Sequence, residues 1–342
     1  TAGDSVALAD YAGTWQTNNV TLAANGTEKI GGVDADVTLS TEGQSVTFVY
    51  IDGTQGWVNV LDSTSNVRGN AYLVATGGCI TTCGNDKLHT FLSPGTFVVC
   101  SVAASAADNL VSYAIVAGAG GGGGSAAGYW SAGGGGAGGF RELVSPSAPY
   151  TASPLDGYPN APNRITVSAT PYAIVVGGGG TGGTGNPACG SRSNGGDGTV
   201  STFDSITSAG GGGGGKSGGA PGCTSAVGQD GGSGGGGGGF NNDACGARGL
   251  GNVPPTTPDQ GQNGGTGYGP GTGYGGGGGG SGAGGTPAPS VNAHNAAGGA
   301  GVASEISTAS VTYAAGGNAG ANTGSPATAG GDNTGNAGQG GN

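Results

Sequence analysis

Gly210-x-x-x-x-Gly215-Lys216-Ser217 has the spacing of a P-loop, in which backbone amides and a lysine grip phosphates at a helix start. The residues that follow, Gly218-Gly219-Ala220-Pro221-Gly222, start no helix of useful length, so composition explains the match. Gly231-Gly232-Ser233-Gly234-Gly235 matches the G-x-S-x-G nucleophile elbow, whose chemistry needs a histidine and an acid on other elements. The chain holds only His89 and His294, and His89 falls in an expected hairpin strand. The 6 cysteines stand at 79, 83, 100, 189, 223 and 245. Cys79-x3-Cys83 with His89 and Cys100 carries zinc-ligand types, but the spacing departs from C-x2-C and lacks a second close pair. Disulfide formation or plain burial is the better reading. The carboxylates Asp197, Asp204, Asp230, Asp243, Asp259 and Asp332 are scattered, with no D-x-D-x-D-G calcium loop. They offer no glycosidase pair that sequence can place. No catalytic residue, metal ligand or cofactor is assigned, and the chain is not expected to be an enzyme.

The aromatic residues among the glycines are more informative. Tyr129, Trp130, Tyr158, Phe240, Tyr268 and Tyr274 interrupt sequence that has little core in which to bury them. Aromatic rings at loop ends stack on sugars and on apolar receptor patches. The same rings could instead cap a glycine scaffold or cover it against a neighbouring chain. These six residues are the receptor-contact candidates, with packing as the competing role.

The elements that would hold them follow from composition. Of 342 residues, 88 are glycine, 8% are charged and 6% aromatic, and the net charge is −11. Average glycine usage is about 7%, so an ordinary two-domain enzyme is excluded. No strict Gly-X-Y period runs through the chain, which excludes collagen. No apolar run approaches the length of a membrane-spanning helix, and the acidic balance argues against nucleic acid. The chain opens at Thr1 without a charged-then-apolar leader, and is expected to be processed or trimmed and to continue naturally at both ends.

Residues 1–75 read as a small all-β module: Asn19–Leu22, Val37–Leu39, Ser45–Ile51 and Trp57–Val60, separated by Asn25-Gly26 and Asp52-Gly53. Trp15 and Trp57 are expected core anchors. Residues 76–118 read as a β-hairpin connector, with Leu88–Phe91 pairing Thr96–Val99 around Ser93-Pro94-Gly95. Residues 119–342 read as a glycine-rich domain with exposed loops, entered and crossed by a recurring motif in which a β segment feeds a glycine tract: Val111–Val116 just before it, then Tyr172–Val176, Ser201–Thr207 and Ser310–Tyr313. Glycine is unfavourable in an isolated helix or strand. Polyproline-II geometry suits it, with three residues per turn and about 3.1 Å rise. Such helices pack side by side where no Cβ intervenes, each amide meeting a neighbour's carbonyl. The expectation is an all-β module plus a polyglycine-II-like bundle, with essentially no α-helix. The tracts 177–185, 210–219, 231–239 and 275–285 are its expected helices.

The run His89-Thr90-Phe91 through Thr96-Phe97 to Tyr113-Ala114-Ile115-Val116-Ala117-Gly118 resembles the entry to glycine-rich domains of bacteriophage tail fibres and adhesins. Gly138-Gly139-Phe140-Arg141, Ser201–Ile206 and Gly301–Ile306 carry the same likeness. The N-terminal part, Gly3–Tyr11 through Thr54-Gln55-Gly56-Trp57, resembles a β-module of phage tail fibres. The resemblance implies a virion structural protein on the extracellular tail fibre that attaches to the host. It implies a fibrous homotrimer, contacts to other virion tail proteins, and loops that meet a host-surface glycan or outer-membrane receptor. A head-fibre or capsid decoration protein and an extracellular polysaccharide-binding structural protein are the alternatives. The family's usual closing apolar strand is missing, since the sequence ends Gly338-Gln339-Gly340-Gly341-Asn342.

Two further expectations follow from the residues. Val46, Phe48, Tyr50, Trp57 and Val60 offer more apolar surface than a thin module hides, so a trimer is expected through residues 1–118. Among the later cysteines, Cys189 is expected to pair with Cys223 rather than Cys223 with Cys245. That expectation assumes a single helical pass along 231–239, about 28 Å long, between Cys223 and Cys245.

Overall fold

The computed structural model describes residues 1–63, 72–125, 130–185, 192–218, 227–240, 246–269, 273–289, 296–320, 327–331 and 333–341. They form two compact units. The first comprises Thr1–Tyr72 with Ala103–Ser105, the second Leu73–Val102 with Ala106–Asn342.

In the first unit, strands β1 (Ser5–Ala9), β4 (Ser45–Asp52) and β5 (Gly56–Asp62) make an antiparallel sheet in the order β1-β4-β5. Strands β2 (Val20–Leu22) and β3 (Val37–Leu39) form a hairpin. The alternation of β4 sends Val46 and Phe48 inward, where they pack with Trp15 and Leu39. Leu8, Ile30, Val37 and Trp57 flank this core. Asp10 pins the loops above it, accepting the amides of Thr14 at 3.0 Å, Trp15 at 3.1 Å and Gly43 at 3.0 Å. Gly56 is obligatory for the β4–β5 turn. Its φ is +66°, and a Cβ there would lie 1.8 Å from the Lys29 carbonyl oxygen. Of the residues expected to form a trimer surface, Val46 and Phe48 belong to the module's own core, Tyr50 and Trp57 are half-buried, and Val60 is exposed.

In the second unit, β6 (Val74–Thr76), β9 (Gly95–Ser101), β12 (Pro171–Val175), β13 (Ser201–Phe203) and β14 (Ile206–Ser208) form a sheet in the order β14-β13-β12-β9-β6. Three two-stranded pairs accompany it: β7 (Cys79–Cys83) with β8 (Asp86–Thr90), β10 (Tyr113–Val116) with β11 (Phe140–Leu143), and β15 (Val302–Ser304) with β16 (Val311–Tyr313). Phe97, Val99, Tyr113, Ile115, Leu143, Ile165, Val167, Phe203 and Ile206 make its hydrophobic core. The strands within 76–118 therefore belong to the same unit as the glycine tracts.

Two expected elements differ. The segment Leu88–Phe91 does not pair with Thr96–Val99. It pairs backwards with β7 through Gly84-Asn85, where Gly84 has φ +58°, and β9 pairs with β12 and β6. Ser201–Thr207 is not one strand but the tight hairpin β13–β14, turned at Asp204 with φ +51°.

Above the sheets the glycine tracts pack as extended helices. From Gly133 to Gly138 the amides donate in turn to Gly215 at 2.9 Å, Gly276 at 3.1 Å, Gly338 at 2.9 Å, Gly212 at 2.8 Å, Gly279 at 2.9 Å and Gly335 at 3.0 Å. Three successive residues address three different neighbours, and the set then repeats. This three-residue period belongs to the polyproline-II class and not to a β-ladder, whose period is two. Among the described residues, no glycine from Gly118 to Gly331 has φ between +20° and +160°, so the helices are of the left-handed kind. The same central pass, 130–139, accepts amides from three further neighbours: Gly123 and Gly120, Gly236 and Gly239, and Gly317 and Gly320. It is surrounded by six backbones, and at Gly133–Gly136 it has no room for side chains. A Cβ on Gly133, Gly134 or Gly135 would lie 2.0, 2.0 or 2.2 Å from a neighbouring carbonyl oxygen.

Where a pass runs short of carbonyl partners, Asn and Asp side chains replace them. Asn194 Oδ1 accepts the Lys216 amide at 3.0 Å, and Asp197 Oδ1, three residues on, accepts Gly213 at 2.8 Å. Asp230 does the same for Leu250, Asn263 for Gly251, Asn318 for Gly298 and Asn336 for Ala315.

Two of the expected helices are broken. The chain bends at Gly231–Ser233 and again at Ser281–Ala283, and each bend joins two antiparallel passes. Gly235 donates to Gln229 across the first bend, and Gly277 to Thr286 across the second. Glycine composition alone does not mark these reversals, because the backbone turns without changing residue type.

Candidate functional site

The hydrogen-bond registers fix which ends of the passes lie together. Passes 118–124 and 193–199 run antiparallel through Gly118–Thr199, Gly121–Gly196 and Gly124–Ser193. Passes 211–217, 180–183 and 233–239 run parallel to 118–124 or to each other. Gly267 meets Gly246, Phe240 meets Tyr268, Ala319 meets Ala296, and Gly341 meets Gly123. All these junctions lie at one end of the bundle, opposite the sheets. The stretches 126–129, 186–191, 219–226, 241–245, 270–272, 290–295 and 321–326 lie outside the described residues. Each is flanked on both sides by passes that end at this face.

Four of the six aromatic candidates gather there. Trp130 is half-buried, and the Arg192 guanidinium sits 5.9 Å from its ring centroid, within cation–π range. Arg192 is itself buried, donates to the Ser217 carbonyl at 3.2 Å, and has its pKa lowered by desolvation. The Phe240 ring lies over Gly218, where a Cβ would approach it to 2.4 Å. Tyr268 and Tyr274 exchange backbone hydrogen bonds at 2.8 and 3.1 Å, and Tyr274 is only 3% exposed. These rings cover the ends of the glycine helices. Tyr158 lies elsewhere, packed on the sheet core with Arg164 4.4 Å from its ring centroid. Tyr129 lies outside the described residues, as do Cys189 and Cys223. The bend at Gly231–Ser233 puts two passes, not one, between 219–226 and 241–245, which removes the geometric ground for preferring Cys189–Cys223 over Cys223–Cys245.

Sequence reading missed Arg192 and Lys216 at this face. Their signal is faint: they are two of only 8 basic residues in the chain, and both stand beside loop-flanking positions.

The motif residues take other roles. Every amide from Gly211 to Gly218 donates to a partner within the bundle, so the P-loop-like run offers no N–H to a phosphate. Ser233 is fully buried at a backbone bend, with its hydroxyl enclosed by glycines. Cys79, Cys83 and Cys100 are free and exposed, and His89 Nδ1 lies 2.8 Å from the Gly77 carbonyl. Among the described residues no group of three His, Cys, Asp or Glu is placed to hold a metal, and no helix is long and apolar enough to cross a membrane.

At the opposite end the bundle is anchored by a polar core. Phe140 stacks on Tyr313 at 6.0 Å. Glu142, 2% exposed, accepts the Ser153 amide at 2.9 Å and the Ser304 hydroxyl. The Tyr113 hydroxyl donates to the Asn163 carbonyl at 2.7 Å, and burial pushes its pKa up to about 12. Gln260, fully buried, accepts the Ala209 amide at 2.7 Å and closes the floor of the bundle.

A rigid scaffold of backbone-bonded glycine helices on a β base, with its side-chain chemistry at the helix ends, defines a glycine-rich structural domain. The model of a glycine-rich domain family matches residues 92–342, and the chain belongs to that family. No curated protein and no solved structure matches the chain.

Proposed function

We propose that this chain is a tail-fibre adhesin: a virion structural protein, extracellular, that attaches to a host-surface glycan or outer-membrane receptor and performs no catalysis. The observation that carries this reading is the convergence of the loop-flanking pass ends on one face. A rigid scaffold that gathers its irregular segments at one end suits recognition, because loops change without disturbing what holds them. The half-buried rings of Trp130, Phe240 and Tyr268 would stiffen the platform beneath those loops. The β-module would join other tail proteins and form the homotrimer. Exposed apolar residues such as Val60 and Leu61, 52% and 67% exposed, support that part.

The test is adsorption of the labelled chain to a broad panel of bacterial envelopes, with mass in solution measured in parallel. The expected result is saturable binding to a subset of envelopes by a trimer of the 31.5 kDa chain. Replacing 186–191, 219–226 and 290–295 by Gly-Ser sequence should abolish it while the fold is kept. Binding that survives those replacements, or no binding across the panel, contradicts the proposal.

A further inference from the structure

We infer that Asn25 is a site of spontaneous covalent modification, losing its side-chain amide to become aspartate or isoaspartate, and that the glycine lattice shields the two comparable sites. This goes beyond the loop-face reading and shares no residue with it. An asparagine carboxamide is attacked most readily by the backbone nitrogen of a following glycine, which has no side chain to obstruct the approach. Asn-Gly occurs three times in the chain, at Asn25-Gly26, Asn194-Gly195 and Asn263-Gly264.

Residue type makes the three alike, and the fold separates them. Asn25 and Gly26 are both exposed. Among the described residues nothing bonds to the Asn25 carboxamide or to the Gly26 amide. Gly26 has φ +63°, and a Cβ there would meet nothing within 4 Å. The carboxamide and the attacking nitrogen are both at liberty to meet. In the bundle neither is. Gly195 is buried and its amide donates to the Gly214 carbonyl at 2.9 Å, while Asn194 Oδ1 accepts the Lys216 amide at 3.0 Å. Gly264 is buried and its amide donates to the Gly249 carbonyl at 3.1 Å, while Asn263 Oδ1 accepts the Gly251 amide at 2.8 Å. Reaction at either site requires the lattice to open first.

The step consumes only water. The Gly26 nitrogen gives its proton to solvent base and bonds to Asn25 Cγ, the Cγ–Nδ2 bond breaks, and Nδ2 leaves as ammonia. Water then opens the cyclic imide at one carbonyl or the other, which returns a proton to nitrogen and leaves aspartate or isoaspartate at position 25. The product has a structural consequence. The Asn25 carbonyl accepts the Glu28 amide at 3.1 Å and closes the turn, and Glu28 Oε2 accepts the Trp57 indole N–H at 3.1 Å. Isoaspartate lengthens the backbone of that turn by one methylene. Either product sets a new carboxylate near Asp36, whose Oδ1 accepts the Ala24 amide at 3.1 Å. Modification thereby loosens the Glu28–Trp57 clasp on β5.

The experiment ages the full chain at neutral pH, in native buffer and in urea, and maps its peptides by mass spectrometry with each mass gain localised by fragmentation. In native buffer Asn25 should deamidate at least about tenfold faster than Asn194 or Asn263, which react only when the lattice opens. In urea the three rates should converge, because the dipeptide is the same and the fold is gone. The Trp57 indole N–H resonance should split as Asn25 deamidates and stay single in Asn25→Ser, which has no carboxamide. Equal rates at the three sites in the native chain overturn the proposal, as do rates that keep their native order in urea. A Trp57 resonance unmoved by full deamidation overturns the loosened clasp. None of these outcomes bears on the envelope-adsorption test.

Discussion

In the N-terminal unit Trp15, Leu39, Val46 and Phe48 interlock as side chains, and the backbone is free to twist around them. From Gly133 to Gly136 the relation is reversed: backbone touches backbone on every side, and an added Cβ is the intruder. The first region draws stability from apolar area removed from water. The second draws it from hydrogen bonds and close backbone contacts, in a lattice that satisfies nearly every amide without a hydrophobic core. The difference teaches where each region tolerates change. A side-chain core fails when atoms are removed, and a glycine lattice fails when they are added.

The largest effect should come from adding one methyl group to the lattice. Gly135→Ala sets a Cβ 2.2 Å from the Gly120 carbonyl oxygen inside a ring of six backbones, with no side chain to yield. The expected loss exceeds about 4 kcal/mol, beyond ordinary overpacking. Gly178→Ala, which meets nothing within 4 Å, should change stability by no more than about 0.5 kcal/mol. Thermal denaturation of the pair followed by circular dichroism gives the comparison, and equal effects would break it.

The opposite experiment removes atoms from the other region. Phe48→Ala, at a site 5% exposed, should destabilise the N-terminal unit by about 3 kcal/mol. Chemical denaturation followed by tryptophan fluorescence from Trp15 and Trp57 reads this out.

A smaller effect sharpens the account of the bundle's edge. Asn194→Ala deletes the acceptor for the Lys216 amide and should cost about 1 kcal/mol. Asn194→Asp, which keeps the acceptor, should restore most of it in the same denaturation assay.

The subtlest signal is in pH. Burial raises the Asp10 pKa, but the amides of Thr14, Trp15, Gly43 and Gly13 outweigh it and hold the carboxyl below its ordinary value. A carboxyl lowered in the folded state contributes stability above its unfolded pKa, and that contribution is lost as pH falls through the folded value. Stability of the N-terminal unit should therefore decline below about pH 4, and Asp10→Asn should flatten that decline in an acid titration.

Much of this architecture was legible from residue types. The strands at Val20–Leu22, Val37–Leu39 and Ser45–Asp52 follow from alternation and Asn-Gly or Asp-Gly turns. The glycine helices follow from what a tract without side chains can do with its amides. The β7–β8 hairpin was missed although Gly84-Asn85 is a turn signal, because the Pro94-Gly95 turn beside it drew the pairing forward. The reversals at Gly231–Ser233 and Ser281–Ala283 had no signal, since every residue of a glycine tract is equally able to turn. Of the aromatic candidates, residue type singled out Trp130, Phe240, Tyr268 and Tyr274, which the fold gathers at one face. It gave no warning that Tyr158 packs on the sheet core, because that depends on Arg164 and on long-range pairing.

The most direct test is amide hydrogen exchange on the uniformly 15N-labelled chain. The lattice account requires Gly133–Gly138 to exchange as slowly as the amides of β10 and β11, at the rate of global opening of their unit. Exchange of these glycines at the rate of an unstructured chain, while β10 and β11 stay protected, would contradict it.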